Sequence, residues 1–317
     1  MPNASPPTPT RQTPFFIVMN ARSGSGDAND ARDKMQSILQ TAEQPHEFML
    51  IDRPEDLPRQ AERAVRAARE HAGAVVAAGG DGTINAVATA ALPFNLPFGI
   101  VPQGTFNYSG RAQELPLDAE DATRALLDVR LKPIQVGAVN DRIFLVNASL
   151  GLYPKVFEAR EEAKAQFGRK RSVAIGAGLL ALLREHRQLS LEIEHDDERE
   201  IVRTPTLFVG NNPLQLERVG LPEAEDVQRR QLAAVIVRAQ TPPALLWLAV
   251  RGALGQLGDA KNVRNFSFKS MTVNQWLGYG RRDMKVAIDG EIVRMLPPLQ
   301  FRVAPQPLWL MVPRETP

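Results

Sequence analysis

The sequence predicts an α/β domain followed by an antiparallel β-sandwich, and three observations predict it. Over the first ~134 residues, short apolar runs alternate with stretches of helical period. After Lys132 the chain turns to closely spaced strand-like runs interrupted by only two helical patterns. In the first part, loops of glycine and small polar residues follow directly on apolar runs.

The elements follow in order. "FFIVMN" (15–20) is a short apolar strand, after which Met35, Ile38, Leu39 and Ala42 mark one helix face. "HEFMLID" is a second strand, followed by a helix from about Pro54 to Ala72. Ala74–Ala78 reads as a buried strand, and Ile84, Val87, Ala88, Ala91 and Leu92 then recur at helical spacing. "PFGIVP" (97–102) is the fourth strand, with helices through "DAEDATRALLDV". Strands alternating with helices make a parallel sheet, and such sheets bind ligands at the carboxyl ends of their strands.

In the second part, "IQVGAVNDRIFLVNASLG" reads as two strands around an Asn-Asp turn. "LSLEIEHDDEREIVRTPTLFVGNN" reads as a further hairpin, with Leu189, Leu191 and Ile193 alternating. "LAAVIVRA", "NFSFKSMTV", "MKVAIDGEIV" and "LQFRVAPQPLWLMV" continue as strands, and helices are expected at 155–187 and 242–257. This is the pattern of a sandwich. The expected divisions are a disordered lead-in at 1–14, an α/β domain at 15–134 and a sandwich at 135–299.

Composition narrows the function classes. The net charge is +2, so no global field marks a nucleic-acid binder, and no nucleic-acid partner is expected. There is no cysteine, which removes disulfides and thiolate metal sites and suits a reducing compartment. The proline-rich start, "MPNASPPTPTRQTP", lacks the apolar core of a signal peptide. The most lipid-like run, Val173–Leu183, is too short to span a bilayer.

Three loops invite an anion. In "GGDGT", Gly79 and Gly80 let backbone approach a phosphate without a Cβ in the way, and the amides of the following helix start point at it. Asp81 would hold a metal indirectly and Thr83 would donate a hydroxyl; a tight turn with Asp81 as N-cap explains the same letters. "PQGTFN" brings Gly104, Thr105 and Asn107 after the fourth strand, and "NARSGSG" puts Asn20 at the end of the first. Position 29 is Asn, which leaves the dinucleotide fingerprint incomplete, and no Gly-Lys-Ser/Thr occurs for a Walker loop.

Asp289-Gly290-Glu291 lies between two strand-like runs. A two-residue hairpin turn explains the Asp-Gly pair, while paired carboxylates would suit proton acceptance and metal binding. Both readings stand on the local pattern. His186 and His195, in polar surroundings, are expected at the surface.

Taken together, "GGDGTIN" (79–85), "GTFN" (104–107), "FLVNASLGLYP" (144–154), "VGNN" (209–212) and "DGE" (289–291) resemble the diacylglycerol kinase catalytic-domain family, which includes bacterial lipid kinases and sphingosine and ceramide kinases. The resemblance implies a nucleotide-binding α/β domain, a β-sandwich, and a C-terminal segment, 300–317, that returns toward the first domain. It implies that Asn20, Gly79, Gly80, Gly82, Thr83, Gly104, Thr105 and Asn107 bind ATP, and that Asp81 belongs to a Mg²⁺ network. Asp289 would be the general base for a lipid hydroxyl, with Glu291 beside it near the metal. The implied reaction is direct γ-phosphoryl transfer to a diacylglycerol- or sphingoid-like lipid, by a cytoplasmic protein in transient contact with the inner membrane face. Homodimerisation stays open.

The chain departs from the family pattern at four places, the smallest being Ala21 where proline is usual. Tyr108 and Gln135 stand where many relatives carry aspartates of the magnesium network, and Gln228-Arg229-Arg230 replaces a metal-loop Asp-Asp-Gly. An apolar helix after Arg169, Lys170 and Arg171 suits an anionic lipid surface. Leu246, Val250, Ala253 and Leu257 give a second amphipathic pattern. The alternatives are a NAD-kinase-like phosphotransferase and a catalytically reduced nucleotide- or lipid-binding relative.

Overall fold

A computed structural model describes residues 5–20, 28–104, 107–151, 188–196, 198–238, 241, 244–245, 247–248, 251, 255–258, 260–276 and 283–314. The expected helix at 155–187, Arg169–Arg171, His186, Thr105 and half of 242–257 lie outside them. The chain divides into two compact units, Met1–Val136 with Ala304–Pro317, and Gly137–Val303.

The first unit is a six-stranded sheet with helices. Its elements are β1 (Phe15–Asn20), α1 (Ala28–Thr41), β2 (His46–Ile51), α2 (Leu57–Glu70), β3 (Ala74–Gly79), α3 (Asp81–Ala91), β4 (Pro97–Pro102), α4 (Tyr108–Ala112), α5 (Ala119–Ala125), β5 (Val129–Ile134) and a C-terminal strand, Leu308–Pro313. The strand order is β2-β1-β3-β4, then Leu308–Pro313, then β5. All neighbours are parallel except the last pair, which is antiparallel.

β1, β3 and β4 are buried almost throughout, which is why they read as continuous apolar runs. Phe15, Ile17, Met19, Val76 and Ala78 form one core with Met35 and Leu39 of α1, Ala122 of α5 and Leu126 at the C-cap of α5. Period-two alternation sends Phe16, Val18, Val75 and Ala77 to the other face. There α2 and α3 pack on each other and on β1 and β3 through small side chains, including Ala61, Ala64, Ala68, Ala88 and Ala91. The lead-in, expected to be disordered, is tied down at its end: Gln44 Nε2 donates to the Thr13 carbonyl, and Ala74 N–H donates to that of Pro14.

The second unit is an antiparallel sandwich, as the sequence predicts. Its elements are β6 (Gly137–Val139), β7 (Arg142–Phe144), β8 (Asn147–Gly151), β9 (Leu189–His195), β10 (Glu198–Thr204), β11 (Thr206–Gly210), α6 (Pro213–Arg218), α7 (Ala224–Gln228), β12 (Leu232–Val237), β13 (Val263–Phe268), β14 (Ser270–Gln275), β15 (Met284–Ile288), β16 (Glu291–Met295) and β17 (Leu299–Val303). One sheet runs β10-β9-β14-β17-β6-β7 and the other β13-β12-β11-β8-β15-β16. Inward side chains of both, among them Phe144, Leu150, Ile193, Val209, Phe268, Val273, Val286 and Phe301, share one core.

Several readings change, among them the two strands expected in 134–151, which are three because β7 ends at Phe144 and β8 joins the other sheet. The expected hairpin at 189–212 is three strands, because β11 leaves β10 at Pro205 and pairs with β8 and β12 in the other sheet. β5 was not expected, since Pro133 and alternating polar residues blur its pattern; its register comes from the C-terminal strand, here β18 (Leu308–Pro313). β17 runs to Val303, so the units divide there and after Val136 instead of at 300 and 134. His195 is not a plain surface residue: its ring stacks on Phe266 with centroids 4.1 Å apart, leaving the side chain 9% exposed.

Candidate active site

In the first unit, β1, β3 and β4 are adjacent and parallel, so their carboxyl ends share one edge. Asn20, Gly79 and Pro102 end these strands, which brings the sequence-predicted loops to that edge. The loop after Asn20 lies outside the described residues.

The turn from β3 into α3 has no side-chain cap. Gly80 is the N-cap in extended conformation, and the first helical bond is Ile84 N–H to the Gly80 carbonyl. The amides of Asp81, Gly82 and Thr83 therefore precede the helical ladder, with the positive end of the helix dipole behind them. This start is held against the loop after β4. Gln103 N–H donates to the Gly79 carbonyl at 2.9 Å, and Gly104 N–H to Asn107 Oδ1 at 2.8 Å. A Cβ on Gly104 would lie 2.9 Å from Gly80 Cα and 2.8 Å from Asn107 Oδ1, so glycine is required for this approach. Asn107 is buried and left-handed at φ 51°. Thr83 is buried with its side chain against Gly79.

Asp81 does not cap its own helix. Its carboxylate accepts the amides of Tyr108 (3.0 Å) and Ser109 (2.9 Å) and so caps α4, fastening one loop to the next. Burial raises its carboxyl above the usual value of 3.8, and the Ser109 and Tyr108 amides work against that rise. Tyr108 thus contributes its backbone N–H to Asp81. Ser109 was missed by sequence reasoning, since its leading contact with Asp81 is made by a backbone amide that any residue type carries.

The second unit holds the other acids. Asp289 and Gly290, both with positive φ (47° and 93°), form a two-residue turn joining β15 and β16, with Ile288 opposite Glu291. The hairpin reading of Asp-Gly therefore holds. Yet Asp289 is only 3% exposed, and its carboxylate accepts three amides: Leu145 at 2.7 Å, Val146 at 2.9 Å and Asn147 at 3.0 Å. Asp289 N–H donates to the Asn147 carbonyl. Asn211, of the quoted "VGNN", donates its backbone N–H to the Val146 carbonyl and Nδ2 to that of Leu145. These three residues carry the chain from β7 in one sheet to β8 in the other. All six of their backbone groups are satisfied by Asp289 and Asn211.

Glu291 opens β16 with its residue exposed. Desolvation by the surrounding protein still raises its carboxyl above 4.5, with Arg142 opposing. Among the described residues no three acidic, histidine or cysteine side chains converge as a metal cage. None of their helices is long and apolar enough to cross a membrane.

A parallel sheet whose carboxyl edge carries an uncapped, glycine-built helix start defines the α/β class that receives phosphate groups. Comparison with known proteins narrows this. The diacylglycerol kinase catalytic domain matches residues 14–139. A diacylglycerol kinase of Staphylococcus aureus (strain JH9) is 31% identical over 239 residues, 74% of this chain and 73% of that protein. One from Staphylococcus saprophyticus is 26% identical over 239 residues, 74% of this chain and 75% of that protein. The fold is similar to the crystal structure of a diacylglycerol kinase from Bacillus anthracis, with TM-score 0.71, 19% identity, and 95% of this chain and 97% of that one covered. The chain belongs to the diacylglycerol kinase family, and it is a kinase at that level.

Proposed function

We propose that the protein transfers the γ-phosphoryl group of ATP, with Mg²⁺, to the hydroxyl of a diacylglycerol- or sphingoid-like lipid. The observation that carries this reading, within the family, is the open start of α3 between Gly80 and Gly104. Amides of Asp81, Gly82 and Thr83 there would receive phosphate oxygens, at about 0.3–1 kcal/mol from the helix dipole alone. Asn20, Gly79, Thr105 and Asn107 complete the proposed nucleotide site.

Mg²⁺ binds through one or two carboxylates plus substrate phosphates more often than in an all-protein cage. Asp81 is the proposed carboxylate of the first unit, and each of its oxygens that takes an amide keeps a second lone pair; Glu291 is proposed as a metal carboxylate from the family resemblance alone. When bound, the ion would offset the charge spreading over the transferred group. The chain's own contribution is to hold the phosphates with oriented amides and to supply an acid of the Asp289-Gly290-Glu291 turn to the acceptor hydroxyl. The proposed setting is the cytoplasmic face of a membrane, reached by transient surface contact. The exposed Trp247 supports that contact, since tryptophan favours membrane–water interfaces.

The test is Mg²⁺-dependent transfer of labelled γ-phosphate to an organic-extractable product across diacylglycerols, monoacylglycerols, sphingosine and ceramide. Label in one lipid supports the reading and identifies the acceptor. Transfer to NAD instead would make the protein a NAD-kinase-like phosphotransferase. ATP binding without transfer to any acceptor would make it a catalytically reduced relative.

A further inference from the structure

We infer that Asp289 is a positioning residue, whose carboxylate fixes the Leu145–Asn147 crossing and thereby holds the turn that presents Glu291. The assignment rests on the kinase reading above for its catalytic part, and on geometry alone for the rest.

A group that takes a proton from a bound alcohol must reach it, within hydrogen-bond distance or through one water. Asp289 is 3% exposed, and both its carboxylate oxygens are occupied by three backbone amides of one segment. The bond from its own N–H to the Asn147 carbonyl closes the arrangement. Two residues on, across a turn of only Asp289 and Gly290, Glu291 is exposed. Of the two acids, Glu291 is the one an acceptor can meet. So short a turn leaves little slack: where Asp289 is fixed, the start of β16 is fixed with it.

The distinction can be read by comparing two substitutions. A proton acceptor is lost equally in Asp289→Asn and Asp289→Ala. A carboxylate that holds amides is lost by degrees. The asparagine keeps one oxygen for the amides of Val146 and Asn147 and turns an NH₂ toward Leu145, whereas alanine strands all three. The full-length variants would be assayed for kcat and KM with the responsive lipid. Amide hydrogen exchange at 145–147 would be followed by NMR in the same proteins and in Glu291→Gln.

The expected result is a kcat for Asp289→Asn at least about tenfold above that of Asp289→Ala, within the ~10²-fold reach of misplacement effects. Exchange at Leu145 should quicken in both Asp289 variants and stay as in wild type in Glu291→Gln. Equal losses of about 10²–10⁴-fold in the two Asp289 variants, with exchange at 145–147 unchanged, would overturn the assignment. If Asp289→Ala fails to fold, Asp289→Asn decides by its exchange at Leu145. If the wild-type protein phosphorylates no lipid, the kinase reading fails separately, and unchanged protection in Asp289→Asn still sinks the positioning role.

Discussion

Asp289 and Asn211 divide one piece of backbone between them. Asp289 accepts the amides of Leu145, Val146 and Asn147, and Asn211 donates to the carbonyls of Leu145 and Val146. Chain that leaves one sheet for another loses its ladder partners, and buried polar groups without partners are costly. Here two residues, contributed from distant points in the sequence, replace the ladder with their side chains and their own N–H groups. Replacing Asn211 by alanine strands the Leu145 carbonyl and should cost about 1–3 kcal/mol. Urea unfolding should show a lower midpoint with an unchanged slope; an unchanged midpoint would mean that water substitutes for the amide.

Gly80 and Gly104 should respond differently to alanine. At Gly104 the added Cβ meets backbone at 2.9 Å, so the loops must part, at about 1–3 kcal/mol of stability. At Gly80 the nearest atom is Gly104 Cα at 3.6 Å, an ordinary contact. Gly80→Ala should therefore keep the wild-type melting temperature while ATP affinity, measured by calorimetry, falls about tenfold or more, which is ~1.4 kcal/mol. Wild-type affinity in that variant would show that no phosphate lies against this turn.

The pH dependence of stability carries a defined sign. Asp81 and Glu291 are both raised by desolvation above their ordinary values of 3.8 and 4.5. A carboxyl raised in the folded state holds its proton more tightly there than in the unfolded chain. Its contribution is fully present below the ordinary value and is lost as pH rises through the folded one. Asp81→Asn should remove its share of that slope. The stability of wild type relative to this variant should fall as pH is raised from about 4, measured by denaturant unfolding at several pH values. A parallel pair of curves would contradict the raised state of Asp81.

Membrane contact can be tested apart from catalysis. Reversing Arg169, Lys170 and Arg171 to glutamate should weaken binding to anionic vesicles, at about 1 kcal/mol per basic group near the surface. Trp247, 60% exposed, should blue-shift on vesicle binding, and Trp247→Ser should weaken binding without changing the salt dependence. Cosedimentation with anionic and neutral vesicles reads both effects, and equal binding by all variants would remove these residues from consideration.

Legibility in the sequence followed the range of the interactions. β1, β3 and β4 are buried on both faces and so write themselves as unbroken apolar runs, and the Asp289-Gly290 turn is written in its dipeptide. The three loops could be placed at one edge because parallel order follows from alternation of strand and helix. By contrast, nothing local says that Asp81 caps α4 instead of α3, because its partners are backbone amides 27 and 28 residues away. Asp289 likewise meets amides more than a hundred residues earlier, and the letters Leu145 and Val146 carry no trace of it. β5 and the departure of β11 from its hairpin depend on strands elsewhere. His195 was misjudged because Phe266, on which it stacks, is remote in sequence.

The placement of β18 bears on how the protein is made. Its buried side chains Leu308, Leu310, Met311 and Val312 fill the sheet between β4 and β5. Each contributes about 1.5–3 kcal/mol, which together rivals the whole stability of an ordinary domain. A chain ending before Leu308 should therefore fail to form the first unit, seen as loss of its cooperative unfolding transition. During translation, the second unit, Gly137–Val303, must emerge before that strand does. At roughly 5–20 residues per second the half-made sheet waits on the order of ten seconds or more on the ribosome with an open gap. The half of the protein that is translated first is thus the half that is finished last, and no nascent chain can hold a complete first sheet before the sandwich has left the exit tunnel.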